Sequence, residues 1–172
     1  MEALTNRQVV ALLRSTAIAI RAELEALPRD ALAWHPAEGE WCIQECVGHI
    51  IEAEKRGFAG RIRHILEADE PALGSWDPAA VARERNDCEG DPEQLLAEFV
   101  QLREASVGLV AGLGPEDWER ACIHVSVGRL TVGEILQEWV FHDRNHWRQA
   151  LANVQAYVWP QLGSAQKFSS TE

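Results

Sequence analysis

The chain has 172 residues, of which 47% are hydrophobic and 25% charged, and a chain of this size and composition forms one globular domain with a sizeable core. Its formal net charge is −11, and the sequence contains no cluster of Lys and Arg that could neutralise phosphate groups. This argues against nucleic acids and membranes as partners. No apolar run approaches the ~20 residues that span a bilayer. The first residues lack the basic and then apolar layout of a signal peptide, so we expect a cytoplasmic protein.

The chain contains four cysteines, Cys42, Cys46, Cys88 and Cys122. None of them forms a CxxC pair, which disfavours zinc ribbons and thioredoxin-like redox motifs. In a cytoplasmic protein we expect free thiols rather than disulfides. Cys46 is interpreted as a small buried hydrophobic residue.

The first predicted helix begins at Thr5, where Thr5 and Gln8 have the spacing of a capping box. It ends at Pro28, because proline cannot continue a helix. Its apolar residues keep to one helical face: Val9, Leu12, Leu13, Ile20, Leu24 and Leu27. A connector that is rich in turn residues and contains two tryptophans, residues 29–41, follows.

The second predicted helix runs from Cys42 to about Asp69. Its buried stripe consists of Ile43, Cys46, Val47, Ile50, Phe58, Ile62 and Ile65. Residues 70–90 show no sustained periodicity and are predicted to form a long loop, with a short helix at 78–86. A loop of this length in a small domain is usually functional or loosely ordered.

The third predicted helix has Asp91 as its N-cap and Pro92 at its first position. Gly112 and Gly114 end it. A short turn and a small extended segment, around residues 122–127, come next.

The fourth predicted helix opens with a capping box, Thr131 to Glu134, and runs to about Tyr157. Residues 1–160 are predicted to form the domain, and the polar residues 161–172 a mobile tail. Four helices with apolar stripes and no strong strands indicate an all-α protein, an antiparallel four-helix bundle.

Two histidines, His142 and His146, lie four residues apart on the buried stripe of the fourth helix. At this spacing both imidazoles can reach one metal ion, although two structural histidines satisfied within the core are the alternative. Asp143 stands where HExxH metalloproteases have their glutamate. Downstream of the pair only Glu172 could supply a third ligand, which argues against a metalloprotease.

A third ligand for this pair has to come from upstream, and His49 is the best candidate because it lies at the edge of the buried stripe of the second helix. His64 lies ~22 Å further along the same helix and cannot share the ion. His35 and His124 lie in connectors and are interpreted as surface or capping residues. The sequence therefore favours a metal site formed by His49, His142 and His146.

Two motifs carry a resemblance to a known family. The segment "WCIQECVGH" at 41–49, together with "LTVGEIL" and "FHDRNHWRQ" at 130–149, resembles the DinB/YfiT-like family over nearly the whole chain. The resemblance implies an up-down-down-up four-helix bundle, a homodimer and a divalent metal held by His49, His142 and His146. Zinc or nickel is expected first, with iron or manganese as alternatives. The family commonly has Ser or Thr where this chain has Cys42, a poor capping acceptor, so we expect Glu45 to contribute to the cap.

The resemblance leaves the activity open, because similar proteins include bacillithiol- or mycothiol-dependent S-transferases, isomerases and metal-dependent hydrolases. Three histidines leave a position on the metal for a thiol or a water molecule. We therefore expect a metal-dependent transfer of a small-molecule thiol to an electrophilic substrate. A metal-dependent hydrolase and a non-catalytic metal-binding stress-response protein are the alternatives. Glu45, Glu52 and Asp143 lie near the histidines but are interpreted as caps or surface charges, so no catalytic side chain is assigned.

Overall fold

Four long helices form the protein, as described by a computed structural model that covers residues 2–169. The first, α1, spans Asn6–Ala26 and begins with the predicted capping box between Thr5 and Gln8. A single helical turn, α2 (Arg29–Leu32), lies in the connector that follows. The connector then leads to Cys42, which caps the second long helix.

The second long helix is continuous but changes its winding. It consists of α3 (Ile43–Glu52), a π-helical segment (Ala53–Phe58) and α4 (Ala59–Glu67). The carbonyl of Lys55, in the π-helical segment, lies so close to Gly60 that a Cβ at position 60 would overlap the carbonyl oxygen of Lys55. The prediction of a helix over residues 42–69 is confirmed, but an analysis based on a 3.6-residue period cannot detect one wider turn.

The predicted loop at 70–90 contains short ordered elements. They are β1 (Ala72–Leu73), α5 (Pro78–Arg85) and a 3-10 turn (Asp87–Glu89). The predicted short helix at 78–86 is therefore confirmed. The third long helix, α6 (Pro92–Ala111), begins with Asp91 as its N-cap, as predicted.

A small sheet closes one end of the bundle. After a 3-10 turn (Pro115–Glu119), β2 (Ala121–His124) and β3 (Gly128–Thr131) form an antiparallel hairpin, and β1 pairs in parallel with β2, so that the strand order is β1-β2-β3. The sequence indicated only one extended segment here. Gly128, the first residue of β3, directly follows the tight turn of the hairpin, and its positive φ of 76° suits glycine.

The fourth long helix, α7, spans Val132–Val158 and begins with the predicted capping box at Thr131. A 3-10 segment (Trp159–Ala165) and one short helical turn, α8 (Gln166–Ser169), follow it. The domain boundary at 160 and the mobility of 161–172 stay predictions, and the last three residues of that tail lie outside the described residues.

Hydrogen bonds show how α1 runs relative to its neighbours. Asn6 donates to the carbonyl of Leu113, and Arg103 donates to the carbonyl of Leu13. Since residue numbers rise along α1 while they fall along α6, these two helices are antiparallel. Leu4 bonds with Gln137, and Arg144 with Thr16, so α1 and α7 are parallel.

Contacts of the second long helix complete the topology. His49 lies against His146 and Phe58 against Trp139, so this helix is antiparallel to α7. Gln44 donates to the carbonyl of Gly90, just before α6, and Arg103 of α6 donates to Glu54. Residue numbers rise together in these two contacts, so the second long helix is parallel to α6. The four long helices are therefore up, down, down and up, and the predicted bundle is confirmed.

The core has two apolar halves with a polar layer between them. On α1, Leu13 belongs to one half and Ile20 to the other; on α6 the corresponding residues are Val107 and Phe99, and on α7 they are Trp139 and Ala150. Between them lie the buried Thr16, Arg103 and Asp143. The layer crosses the bundle at the level where the predicted metal ligands lie.

The expectation of four free thiols is wrong, because Cys42 and Cys88 form a disulfide. The segment around Cys88 folds back onto the first turns of α3, where the side chain of Gln44 donates to the carbonyls of Asp87 and Gly90. This return of a loop across 46 residues is a tertiary event that the spacing of cysteines does not encode. Cys46 and Cys122 are free and buried, and Cys46 is the predicted small core residue.

Candidate metal centre

The structure brings together the three histidines that the sequence selected. His49 projects from α3, and His142 and His146 project from successive turns of the antiparallel α7. One ring nitrogen from each lies within 4.8 Å of the other two. His35 and His64 are exposed, while His124 is buried, so that its interpretation as a surface residue is wrong. The role of the three as metal ligands stays a prediction.

The spacing of the nitrogens suits a shared metal ion. The Nε2 atoms of His49 and His142 are 3.0 Å apart. Two nitrogens that each lie about 2.0–2.1 Å from one ion and 3.0 Å from each other subtend an angle of roughly 95°. This value lies between the octahedral and tetrahedral angles, so the two residues fit a divalent cation. Without an ion, one ring could instead donate a proton to the other, but that bond would not use His146.

Within residues 2–169, a hydrogen bond to a residue outside the cluster orients one of the three rings. The Nδ1–H of His146 donates to Oε1 of Gln149 at 3.1 Å, which leaves its Nε2 lone pair free. The Nδ1 atoms of His49 and His142 are buried and have no hydrogen-bond partner among residues 2–169. A buried polar atom without a partner destabilises the fold. Because no hydrogen bond at Nδ1 orients these two rings, their orientation depends on packing and on what their Nε2 atoms bind.

The electrostatic environment keeps all three imidazoles neutral at pH 7. Burial, followed by the proximity of His146, lowers the pKa of His49 to about 4. Burial, followed by the proximity of His146, His49 and the Arg103 guanidinium, lowers the pKa of His142 to about 3. Burial also lowers the pKa of His146, against a smaller opposing effect of its bond with Gln149. Neutral imidazole is the form that binds a metal.

Aromatic rings hold the histidines in place. Trp41 lies 4.9 Å from the ring of His49 and Trp76 lies 5.6 Å from its centre, while Phe58 packs edge-on against His142 at 5.1 Å. Phe58 is the last residue of the π-helical segment. The wider turn therefore belongs to the wall of the site, a setting in which π-helical turns often occur.

A pocket of about 370 Å³ opens beside the three histidines. Its wall includes Arg61, Trp76 and Glu138, and the segment after β1 contributes Ser75, Trp76 and Pro78. The segment predicted as a long loop at 70–90 therefore forms part of the pocket wall. Trp41 contacts the histidine rings, but Trp34 packs against Tyr157 instead. A larger groove of about 460 Å³ between α1 and α6 is lined by neither His nor Cys among the described residues.

A buried ion-pair cluster lies next to the histidines and was missed by the sequence analysis. Arg103 donates through Nε to Glu54 at 2.8 Å and through Nη1 to Asp143 at 2.7 Å. All three side chains are buried, so the interpretation of Asp143 as a cap or surface charge is wrong. The available signal was that Arg103 and Asp143 occupy positions on the apolar stripes of α6 and α7. Charges at facing stripe positions indicate a buried pair.

The other two carboxylates near the histidines also have structural partners. Glu52 is buried, so its interpretation as a cap or surface charge is also wrong. Burial by itself raises its pKa, but hydrogen bonds from Arg56, Arg85 and Lys55 lower the pKa overall. Glu45 accepts from the backbone N–H of Cys42 at 2.9 Å, and its contribution to the helix cap is confirmed. Neither carboxylate lines the pocket as described.

Comparisons with known proteins agree with this architecture. The family model of the DinB superfamily matches residues 12–150. YuaE of Bacillus subtilis (strain 168), a protein described as uncharacterized, is 24% identical over 139 residues, which cover 74% of this chain and 85% of YuaE. The structure of YfiT from Bacillus subtilis superposes with a TM-score of 0.81, covering 92% of this chain and 93% of that one at 18% identity. At this identity the likeness concerns the fold.

Proposed function

Because this chain belongs to the DinB superfamily, we propose that it holds a divalent metal ion between His49, His142 and His146 and transfers a low-molecular-weight thiol to an electrophilic small molecule. One observation carries the proposal: three neutral imidazoles converge beside a pocket. Catalytic metal sites typically have three protein ligands and an open position, whereas structural sites are closed by a fourth.

The ligand set suits a transition metal. Imidazole nitrogens bind zinc, nickel and iron well, so we propose zinc or nickel first and iron or manganese as alternatives. When bound, the ion would strongly lower the pKa of a thiol or water molecule at its open coordination position. The protein contributes the aromatic walls formed by Phe58, Trp41 and Trp76, which fix the rings and exclude bulk water from them.

The composition of the pocket supports a thiol that carries an anionic group. Arg61 lines the pocket, donates to Nε2 of His124 at 3.1 Å and has no hydrogen-bond partner at its buried Nε among the described residues. No carboxylate within residues 2–169 forms an ion pair with it. A guanidinium in this state can bind a carboxylate, and low-molecular-weight thiols such as glutathione carry carboxylates.

Hydrolysis is the second candidate function. The structurally similar YfiT is described as a "probable metal-dependent hydrolase", and water can occupy the same position as a thiol. Glu138 lies on the pocket wall one helical turn before His142 and could accept a proton from this water molecule. In this version the chain would cleave a small substrate without a cosubstrate.

The two functions are separated by a conjugation assay. The metal-loaded protein is incubated with 1-chloro-2,4-dinitrobenzene and, separately, bacillithiol, mycothiol, glutathione or cysteine. We expect conjugation that requires metal and one of these thiols, and that is lost in His142→Ala but kept in His64→Ala, which changes an exposed histidine on the second helix. Conjugation equal to that of His142→Ala with every thiol, together with metal-dependent ester hydrolysis, would favour the hydrolase.

A further inference from the structure

The disulfide between Cys42 and Cys88 has two unlike halves. Cys42 is fully buried and is the N-cap of α3. Cys88 is partly exposed and belongs to the three-residue 3-10 turn Asp87–Glu89. A small molecule from solvent can therefore approach one sulfur of this bond more readily than the other.

We propose that this disulfide is a thiol–disulfide exchange site, separate from the metal centre, at which low-molecular-weight thiols react with Cys88. A thiolate attacks Sγ of Cys88 and forms a new S–S bond to it. The bond to Cys42 breaks, and its electron pair leaves on Sγ of Cys42. A second thiolate then displaces Cys88 from the mixed disulfide. In sum, two thiols are oxidised to one small disulfide while the protein disulfide is reduced to two thiols.

The position of Cys42 favours its departure as a thiolate. Its Sγ accepts a hydrogen bond from the backbone N–H of Glu45 at 3.4 Å, within the capping box of α3. The positive end of a helix dipole stabilises a thiolate, and a more stable thiolate is the better leaving group in exchange. Cys88 lies in a turn that is too short to provide a comparable dipole. Exposure and leaving-group stability therefore favour the same direction of attack.

An imidazole and a carboxylate lie beside the two sulfurs. Ligand atoms of His35, Cys42, Glu45 and Cys88 all lie within 4.8 Å of one another. Nδ1 of the exposed His35 is 3.7 Å from Oε2 of Glu45, an oxygen that also accepts from the N–H of Cys42. The Nδ1–H of His35 donates to the carbonyl of Glu40 at 2.7 Å, so this proton is already bound. The carboxylate of Glu45 offsets part of the stabilisation that the helix dipole gives to a thiolate on Cys42.

Contacts other than the disulfide keep the two cysteines close after the bond opens. Arg85 donates to both carboxylate oxygens of Asp87, next to Cys88, and Gln44 on the first turn of α3 donates to the backbone carbonyl of Asp87. Glycine at position 48 also lets the side chain of Asp87 pack closely against α3, because a Cβ at this position would overlap the Asp87 carboxylate. Both sulfurs therefore remain poised to form the bond again.

The remaining two cysteines do not compete for the same reagents. Cys46 and Cys122 are buried. Burial raises the pKa of Cys46 to about 12 and also raises the pKa of Cys122. Because only the thiolate reacts, exchange is restricted to the pair formed by Cys42 and Cys88.

Two single variants of the full-length protein test this asymmetry with oxidised glutathione as the probe. Cys42→Ser leaves Cys88 without its partner and keeps a good N-cap residue on α3. Cys88→Ser leaves only the buried Cys42. Both proteins are incubated with oxidised glutathione, and the adducts are followed by intact mass spectrometry, with circular dichroism as the check on folding. In parallel, the wild-type disulfide is titrated with reduced glutathione.

We expect Cys42→Ser to acquire one glutathione at least about tenfold faster than Cys88→Ser, because only Cys88 is accessible. We expect the wild type to be reduced by glutathione and to re-form its disulfide when oxidised glutathione is returned, without lasting adducts. Equal rates in two folded variants, faster reaction of Cys88→Ser, or a wild-type bond that glutathione does not open would overturn the proposal. Retention of a second metal equivalent by the reduced wild type, instead of exchange, would replace it with a metal site.

Discussion

Two polar clusters lie side by side in the core and differ in how their groups are satisfied. In the ion-pair cluster, Arg103 is bound to Glu54 and Asp143, and all three are buried. In the histidine cluster, His142 directly precedes Asp143 in sequence. Its Nε2, however, lies 3.0 Å from Nε2 of His49. The first cluster therefore pairs its own charges, while the second brings one ring nitrogen from each of three neutral imidazoles within 4.8 Å of the others, beside a pocket.

This difference bears on stability. A buried charge that loses its partner within the protein destabilises the fold strongly. Neutral imidazole nitrogens that are buried without a hydrogen-bond partner destabilise the core unless a ligand binds the ring. Both clusters use the second long helix and α7, and the ion-pair cluster adds Arg103 from α6. The charged side chains are buried, whereas the three histidines are half-buried. The clusters also differ in their hydrogen bonds, because each charged group has a partner of opposite charge and the histidines have none within residues 2–169.

The largest effect is expected in the ion-pair cluster. Arg103→Met removes the cation and leaves Glu54 and Asp143 buried without a counter-charge. We expect the free energy of unfolding to fall by about 3–5 kcal/mol, since breaking one partner of a buried pair costs this much. Urea denaturation followed by circular dichroism measures the change.

The matched control for this variant is Arg21→Ala, which breaks an exposed ion pair with Glu25. Such pairs contribute about 0.3–0.5 kcal/mol. A loss in Arg103→Met that is no larger than in this control would show that the buried cluster is not structural. Replacing Glu54, Arg103 and Asp143 together by Gln, Met and Asn should recover part of the stability, because no charge is then left alone.

A smaller effect on folding and a large one on metal binding are expected in the histidine cluster. His146→Ala should lower metal affinity at least about 100-fold, because two ligands remain of three. Its helical circular dichroism signal should be unchanged, because a bundle of this size has a core that does not depend on a metal. Elemental analysis after dialysis measures occupancy, with His64→Ala as the control. Loss of helicity together with metal would make the site structural.

An intermediate effect is expected when the orienting contact of the site is removed. Gln149→Leu deletes the acceptor for Nδ1–H of His146. Loss of such a contact typically costs 10–100-fold in metal affinity, and because the ring is also packed by Trp41 we expect about tenfold. Competition with a chromogenic chelator measures it. An unchanged affinity would show that packing alone orients the ring.

The smallest effect is expected from pH on the metal-free protein. The pKa of His49 is about 4 and that of His142 about 3 in the folded state, below the ordinary value of 6.5. As the pH falls below 6.5 the unfolded chain therefore binds protons that the folded protein does not. The free energy of unfolding decreases until about pH 4 for the contribution of His49 and about pH 3 for that of His142. Urea midpoints at pH 7.5 and 5.5 should show the decrease, and His49→Gln should reduce it. A midpoint that rises as the pH falls would contradict this account.

Periodicity, capping and histidine spacing made much of this protein predictable from the sequence. The four long helices, the capping boxes at Thr5 and Thr131 and the start of α6 at Pro92 follow from local chemistry. The spacing of His142 and His146 is likewise local, because both lie on one face of α7. His49 was selected by elimination among the remaining histidines, as the best candidate at the edge of another buried stripe. The sequence therefore determined the elements and the histidine pair, because both depend on residues close together in the chain.

Tertiary structure alone decided what these elements do together. The disulfide between Cys42 and Cys88 and the partners of Arg103 join residues far apart in sequence. So does the pocket, where Trp76 from a loop meets α3 and α7. Whether a buried polar side chain is paired or left to bind a ligand depends on which atoms of other helices reach it. That is set by the packing of the whole bundle, because no local rule fixes distances between segments separated by 40 residues or more.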